Sequence, residues 1–355
     1  MTLLPLAGHE AIRGQLSRAV ADDRLPQVLL VTGPAGVGKQ RLALWLGQLL
    51  LCRKPGTEPC GECPGCRQVL GLAHPDLHWF VPVPRPKAGE ADKQIDEVSI
   101  LLEAAMAERR ESGLWNAPDG MAIHGVAAAR LLQRHASLTP VAGGWRVFII
   151  GHAERLVPQA SSPEAANALL KLLEEPPGRS LFVLTTVEPG LLLDTIRSRA
   201  TPIRLGRLGD DEVRAFLEKA RPDLATDEVI MRARGSIGSA LAGETEEMLK
   251  ARSAAREFAE AVSRGERTTI ERVLRQPPWQ ARGDFTAMLD ALAERLSVRL
   301  RRAAAGDNRV SPLGMATMAA AAERILAARQ RAQGNVNPQL LLAALADQLG
   351  AREAE

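Results

Sequence analysis

Tyrosine is absent from the 355 residues, and aromatic side chains make up only 3% of them. A chain so poor in flat rings has little material for a base-stacking platform, which weighs against single-strand nucleic-acid binding of that kind. No apolar run is long enough to span a bilayer, and Met1 to Leu6 lacks the charged start and full apolar stretch of a targeting prefix. A cytoplasmic location is expected. An excess of charge is also missing, since 45 basic and 42 acidic residues leave a net +3. Any contact with DNA then comes from a local patch or through partners.

Cysteine is scarce outside one window. All four lie between Cys52 and Cys66, and PCGECPGC contains two overlapping C-x-x-C steps. Tight loops of this spacing converge thiolates on one tetrahedral zinc, and four thiolates at Cys52, Cys60, Cys63 and Cys66 leave no open position, so the ion would be structural. A pair of disulfides is disfavoured by a reducing compartment, and a redox dithiol is the remaining alternative.

What is present is ordinary soluble-protein composition, 46% apolar and 25% charged, in a chain long enough for two or three domains. The apolar run VLLVT, Val28 to Thr32, reads as a buried parallel strand and LALWLGQLL, Leu42 to Leu50, as a helix. Between them lies GPAGVGKQ. Glycines at such spacing let backbone N–H groups cradle phosphates, a lysine reaches the outer phosphates, and a closing Ser or Thr holds magnesium. Gly33, Gly36, Gly38 and Lys39 are in place, whereas Gln40 stands where the hydroxyl belongs. The plainer reading, a glycine-rich turn, lacks a reason for the flanking strand, helix and Lys39.

A working phosphate-loop engine also needs a strand ending in two acids, for metal and water. The candidate strand RVFII, Arg146 to Ile150, is followed by Gly151 and His152. Glu154 lies three positions past the first acid's slot and does not replace the pair. These two independent losses predict no ATP hydrolysis by the chain itself.

GPAGVGKQ, the cluster ending CGECPGC, HPDLHW from His74, NALLKLLEEPP from Asn167 and TIRSRA from Thr195 together resemble the AAA+ family, and within it the clamp-loader subunits of bacterial DNA polymerase III. The resemblance is dense over about the first 205 residues. Gamma/tau ATPase subunits share most of these motifs, and the losses at Gln40, Gly151 and His152 favour the delta-prime type. The resemblance implies a five-subunit ring with ATP between neighbours, gamma/tau and delta types as partners, and a sliding clamp and primed DNA met through the complex. It also implies an arginine given across the boundary from a Ser-Arg-Cys motif, which here reads Ser198, Arg199, Ala200. Arg199 is thus the candidate finger, acting in trans on a neighbour's γ-phosphate; the plainer reading is a surface arginine, as for Arg197. ATP binding in the chain's own loop is expected to be weak or absent. Ser239, in GSIGSAL, occupies the place of a second-sensor arginine, and Thr185 or Thr186 the place of a polar phosphate sensor or simply a strand cap.

The expected fold is an α/β AAA+ core with a parallel sheet covered on both faces and a zinc module, then a small helical lid and an all-α collar, with boundaries 1–205, 206–250 and 251–355. Residues 83–122 form an insertion relative to the family. Its Ile95, Val98, Leu102, Ala105 and Met106 recur at helical spacing, to near Arg110, before a loop carrying Trp115. The stripe either docks at home, the favoured reading, or meets another subunit. The basic run Arg295 to Gly306 tempts a DNA reading, yet such runs are more often solvated helix faces. An active gamma/tau-like ATPase is the competing function, and a zinc-dependent nucleic-acid binder the third.

Overall fold

The computed structural model describes residues 3–87, 89–112, 122–141, 144–156, 164–243, 246–278, 283–304, 311–332 and 336–350. The chain forms two compact units, Met1–Gly243 and Glu244–Glu355.

In the first unit the order is α1 (Glu10–Ala21), β1 (Val28–Thr32), α2 (Lys39–Leu50), α3 (Pro64–Leu70), β2 (Leu77–Phe80), α4 (Ala91–Ser112), α5 (Val126–Ser137), β3 (Arg146–Ile150), α6 (Glu164–Glu174), β4 (Ser180–Thr186), α7 (Asp194–Arg197), β5 (Thr201–Arg204), α8 (Asp210–Ala220), α9 (Asp227–Ala233) and α10 (Ile237–Ala242). The five strands pair in parallel in the order β2-β3-β4-β1-β5. Parallel pairing needs a crossover after each strand, and helices supply it, so β1, β3 and β4 are buried on both faces and read as unbroken apolar runs. Phe148 and Phe182 stack across neighbouring strands with ring centroids 4.8 Å apart. This is the expected α/β core built on a parallel sheet.

β1 and β3 coincide with the strands read from sequence. The sequence alone does not mark β2, because LHWF is only four residues long and a histidine interrupts its apolar character; Trp79 and Phe80, on opposite faces, are its buried residues.

The insertion is a closed excursion. Val83 and Ile123 exchange backbone hydrogen bonds of 3.1 and 3.0 Å in an antiparallel bridge, so both ends leave the core at one point. Within it α4 buries Ile95, Val98 and Leu102 in the main core, with Ala105 and Met106 packed against it. The stripe therefore docks on its own domain. The loop expected around Trp115 lies outside the described residues.

Residues 208–241 build a separate small cluster around Val213, Leu217, Ile230 and Ala240, against which Leu4 and Ala7 pack. Strands end at β5 among the described residues, as the sequence indicates. The second unit is helical: α11 (Glu246–Arg264), α12 (Glu266–Leu274), α13 (Asp284–Ala304), α14 (Pro312–Arg331) and α15 (Pro338–Gly350) surround Phe258, Phe285, Leu289, Ile325 and Leu342. A boundary at residue 250 would cut α11, an unbroken helix, so the division lies earlier, after Gly243. No helix among the described residues is long and apolar enough to cross a membrane.

Candidate functional site: a phosphate loop with a rebuilt metal position

The loop from Gly33 links the end of β1 to the start of α2. Gly33, Gly36 and Gly38 all have positive φ, the conformation that turns successive backbone N–H groups inward and that side chains resist. Gly36 is also pressed from outside. Gly238 N–H donates to the Gly36 carbonyl at 2.9 Å, and a Cβ on Gly36 would run into the Ser236 hydroxyl. Ser236 caps α10, accepting from Ser239 N–H at 3.1 Å, and its hydroxyl donates to the Ala35 carbonyl at 3.1 Å. Its one proton is then used, so the Ser239 hydroxyl, 2.8 Å away, is the donor between the two serines. The segment around Ser239 thus lies on the phosphate loop and meets it through a neutral hydroxyl.

Lys39 is buried and folds back, donating to the carbonyls of Gly33 at 2.9 Å and Pro34 at 2.6 Å. Burial lowers its pKa to about 8, with Glu154 pulling the other way. Glu154 stands in a 3-10 turn just after β3, its carboxylate 3.4 Å from His152 Nδ1. Burial pushes this carboxyl up, but His152 and the Thr186 hydroxyl outweigh burial and hold it below the usual range. Thr186, at the end of β4, also accepts from Glu188 N–H at 3.0 Å. Lys39, Glu154 and Thr186 therefore meet beside the loop. Its position three residues past the first acid's slot sets Glu154 apart from the missing pair, and its burial beside Lys39 emerges only once β3 and β1 are placed.

Gln40 and Gly151 face each other. A Cβ on residue 151 would lie 2.8 Å from Gln40 Nε2 and 3.0 Å from its carbonyl carbon and oxygen. The side chain that replaces the hydroxyl fills the room vacated by the first acid. Its Oε1 accepts from Arg109 Nη2 at 3.0 Å. Arg109 comes from the last turn of α4, is 5% exposed, and lies with its guanidinium carbon 3.8 Å from the centre of the Trp79 ring. Burial, and the nearby Arg41, lower its pKa to about 9; burial takes Arg41 to about 10. Nothing local in the sequence marks Arg109, which belongs to an inserted element.

The backbone carbonyl of Gly151 is bonded to His124 Nε2 at 2.7 Å, and His124 is buried. Burial lowers that histidine to about 4. The neutral ring therefore donates to Gly151 and fixes the end of β3.

The four cysteine sulfurs lie within 4.8 Å of one another, with Cys60 to Cys66 and Cys52 to Cys63 at 3.9 Å. Zn–S bonds near 2.3 Å in a tetrahedron set sulfurs about 3.8 Å apart, so the spacing fits, while a disulfide needs roughly 2 Å. Backbone N–H groups point at the sulfurs, from Lys54 and Cys60 to Cys52 at 3.4 Å and from Cys66 to Cys63 at 3.4 Å. Burial raises the Cys63 thiol, but the N–H donors of Arg53 and Cys66 prevail and bring it to about 6. A four-sulfur set with its own N–H donors suits a bound dication, which neutralises the thiolates. The cluster joins the end of α2 to the start of α3, so it braces the helix that begins at the phosphate loop.

Arg199 follows α7 and is partly exposed. It donates to the Thr195 carbonyl at 2.7 Å and forms an ion pair with Glu174, the last residue of α6. Glu174 belongs to NALLKLLEEPP, so two motifs read separately meet here. Arg197 pairs instead with Asp194 in its own helix, at 2.5 Å.

The chain is similar to known proteins over between half and two thirds of its length. It is 32% identical over 184 residues to DNA polymerase III subunit delta' of Bacillus subtilis (strain 168), covering 52% of this chain and 43% of that protein. It is 30% identical over 195 residues to DNA polymerase III subunit delta' of Pseudomonas aeruginosa PAO1, covering 55% and 47%. It is also 29% identical over 215 residues to DNA polymerase III subunit gamma/tau of Mycobacterium tuberculosis H37Rv, covering 60% and 30%. The matched region spans less than half the length of each relative. The family model described as "DNA polymerase III, delta subunit" matches residues 8–209, more than half the chain, which therefore belongs to that family as a clamp-loader subunit of the delta-prime type.

Proposed function

We propose that this chain is a non-hydrolysing subunit of a DNA polymerase III clamp loader, a scaffold that presents Arg199 to ATP held by a neighbouring subunit. The observation that carries the reading is the fit of Gln40 to Gly151, which leaves neither a hydroxyl nor a carboxylate where magnesium would be ordered. ATP bound elsewhere in the ring would supply the phosphoryl group, and this chain's residues act on it from outside. Arg199, extended from the β4–β5 connection, would neutralise charge developing on the γ-phosphate. In the resting chain Glu174 holds it in place. The loop of Gly33, Gly36, Gly38 and Lys39 keeps the shape of a phosphate cradle with weak or no nucleotide affinity, and Cys52, Cys60, Cys63 and Cys66 would hold structural zinc.

The partners proposed are gamma/tau and delta-type subunits in a five-membered ring in the cytoplasm, with sliding clamp and primed DNA met through that assembly. Residues 206–243 would serve as its lid and the second unit as its collar. The reading is tested by incubating the purified chain with ATP and magnesium, alone and with its partner subunits. It requires no turnover by the chain alone above that of its Lys39→Ala variant. Turnover that disappears with Lys39→Ala would overturn it.

One observation favours an active gamma/tau-like ATPase as the second reading. Glu154 is buried beside Lys39 and kept ionised, and a gamma/tau protein is among the relatives. That reading requires Glu154 to order metal without the Gly151 and His152 positions, and Glu154→Gln would then abolish turnover.

A further inference from the structure

The insertion carries more than a docked stripe. It begins and ends at the Val83–Ile123 bridge, its helix is anchored by Ile95, Val98 and Leu102, and the last turn of that helix delivers one buried cation, Arg109, to the side chain at the loop's metal-ligand position. We propose that Arg109 takes the place of the divalent cation beside the phosphate loop, so that the metal position is filled from within the chain. The proposal rests on the reading of Gly33 to Gln40 as a phosphate loop given above.

Three observations converge on it. In the motif, residue 40 is the protein's own ligand to magnesium. Here its oxygen accepts from a guanidinium instead, at 3.0 Å. The other flank of Gln40 faces Gly151, the slot of the first acid, so Arg109 bonds to the side chain that occupies both ligand positions. The guanidinium is also fixed from a second side by the Trp79 face on β2, the strand next to β3. An arginine carries its positive charge on a planar group that stacks and donates at once, which a hydrated lysine does less well in a buried place.

Electrostatics then keeps a metal out. A dication entering beside Gln40 would meet the Arg109 charge, with Arg41 near enough to act on it; Gly151 and His152 offer no carboxylate to offset the repulsion, and Glu154 is engaged by His152, Thr186 and Lys39. Restoring the ligands alone should therefore fail. A carboxylate at residue 151 would pair with Arg109 before it met a metal.

The test is Mn2+ binding by the full chain, followed by electron paramagnetic resonance with and without ADP. The variants are Gln40→Thr/Gly151→Asp with Arg109 kept, and the same pair with Arg109→Met, which leaves an apolar stem against Trp79. Wild type and the double variant should bind Mn2+ equally weakly, and the triple variant at least tenfold more tightly. ADP should tighten Mn2+ further in the triple variant. A double variant that binds Mn2+ as tightly as the triple would overturn the proposal, as would a triple variant that melts as cooperatively as wild type yet gains no Mn2+ affinity. A gain in Mn2+ that ADP leaves unchanged would uphold Arg109 as the occupant while counting against the phosphate-loop reading.

Discussion

Gln40 and Gly151 are shaped to each other: a single added carbon on residue 151 would stand 2.8 Å from the Gln40 amide nitrogen. Two departures from an active phosphate-loop engine, separate in sequence, form one contact in space. The glutamine fills volume that an acid would need, and the glycine makes room for it.

The pair predicts coupled stability. Gly151→Ala should destabilise the first unit by about 1 kcal/mol, near the low end for overpacking because the neighbour is the tip of a flexible side chain. Gln40→Ser should remove most of that penalty. Denaturant unfolding of the two single variants and the double variant gives the coupling term, and strict additivity would contradict the contact.

Much of this was legible in the sequence, and the limits have physical causes. β1, β3 and β4 are buried on both faces, so they announce themselves as apolar runs. The cysteine window, the glycine loop and the losses at residues 40 and 151 are local features and were visible. β2 was not, since a strand of four residues with a histidine in it has no pattern to read. The meetings of Arg109 with Gln40, Glu154 with Lys39 and Arg199 with Glu174 join residues 69, 115 and 25 positions apart. Only the sheet order brings them together.

Acid should loosen the first unit from the end of β3. The folded-state pKa of His124, about 4, lies below its ordinary 6.5, so between those values the unfolded chain binds the proton that the folded chain refuses. Stability contributed above pH 6.5 is therefore lost as pH falls toward 4. The span corresponds to about 3 kcal/mol and is set first by burial, with the Gly151 carbonyl and Glu154 favouring the charged ring and His152 and Arg155 disfavouring it. His124→Gln should flatten the pH dependence of the unfolding midpoint over this window, and an unchanged slope would contradict the assignment.

The cysteine cluster makes a stoichiometric prediction. Purified chain should carry one zinc per molecule by elemental analysis. Cys60 is exposed, so Cys60→Ser in a metal-free protein should alter stability by no more than about 0.5 kcal/mol. A drop of several kcal/mol, matched by chelation of the unmutated chain and without further loss when chelator is added to the variant, identifies the metal as the cause. A harmless Cys60→Ser would contradict it.

The Arg199–Glu174 pair is partly exposed, and such pairs contribute no more than about 1 kcal/mol. Glu174→Gln should leave the melting temperature of the chain nearly unchanged and should not reduce ATP turnover by the assembled complex, because it releases Arg199 without removing it. A strong loss of turnover with Glu174→Gln would mean that the ion pair, and not the free arginine, is the working state.

The most direct measurement is steady-state ATP hydrolysis by the reconstituted clamp loader, with sliding clamp and primed DNA, built with wild-type chain or with Arg199→Ala. The account predicts normal assembly and thermal stability with turnover reduced at least a hundredfold at the neighbouring site, in line with the loss of an arginine finger. Turnover equal to wild type with Arg199→Ala, in a complex shown to be fully assembled, would contradict it.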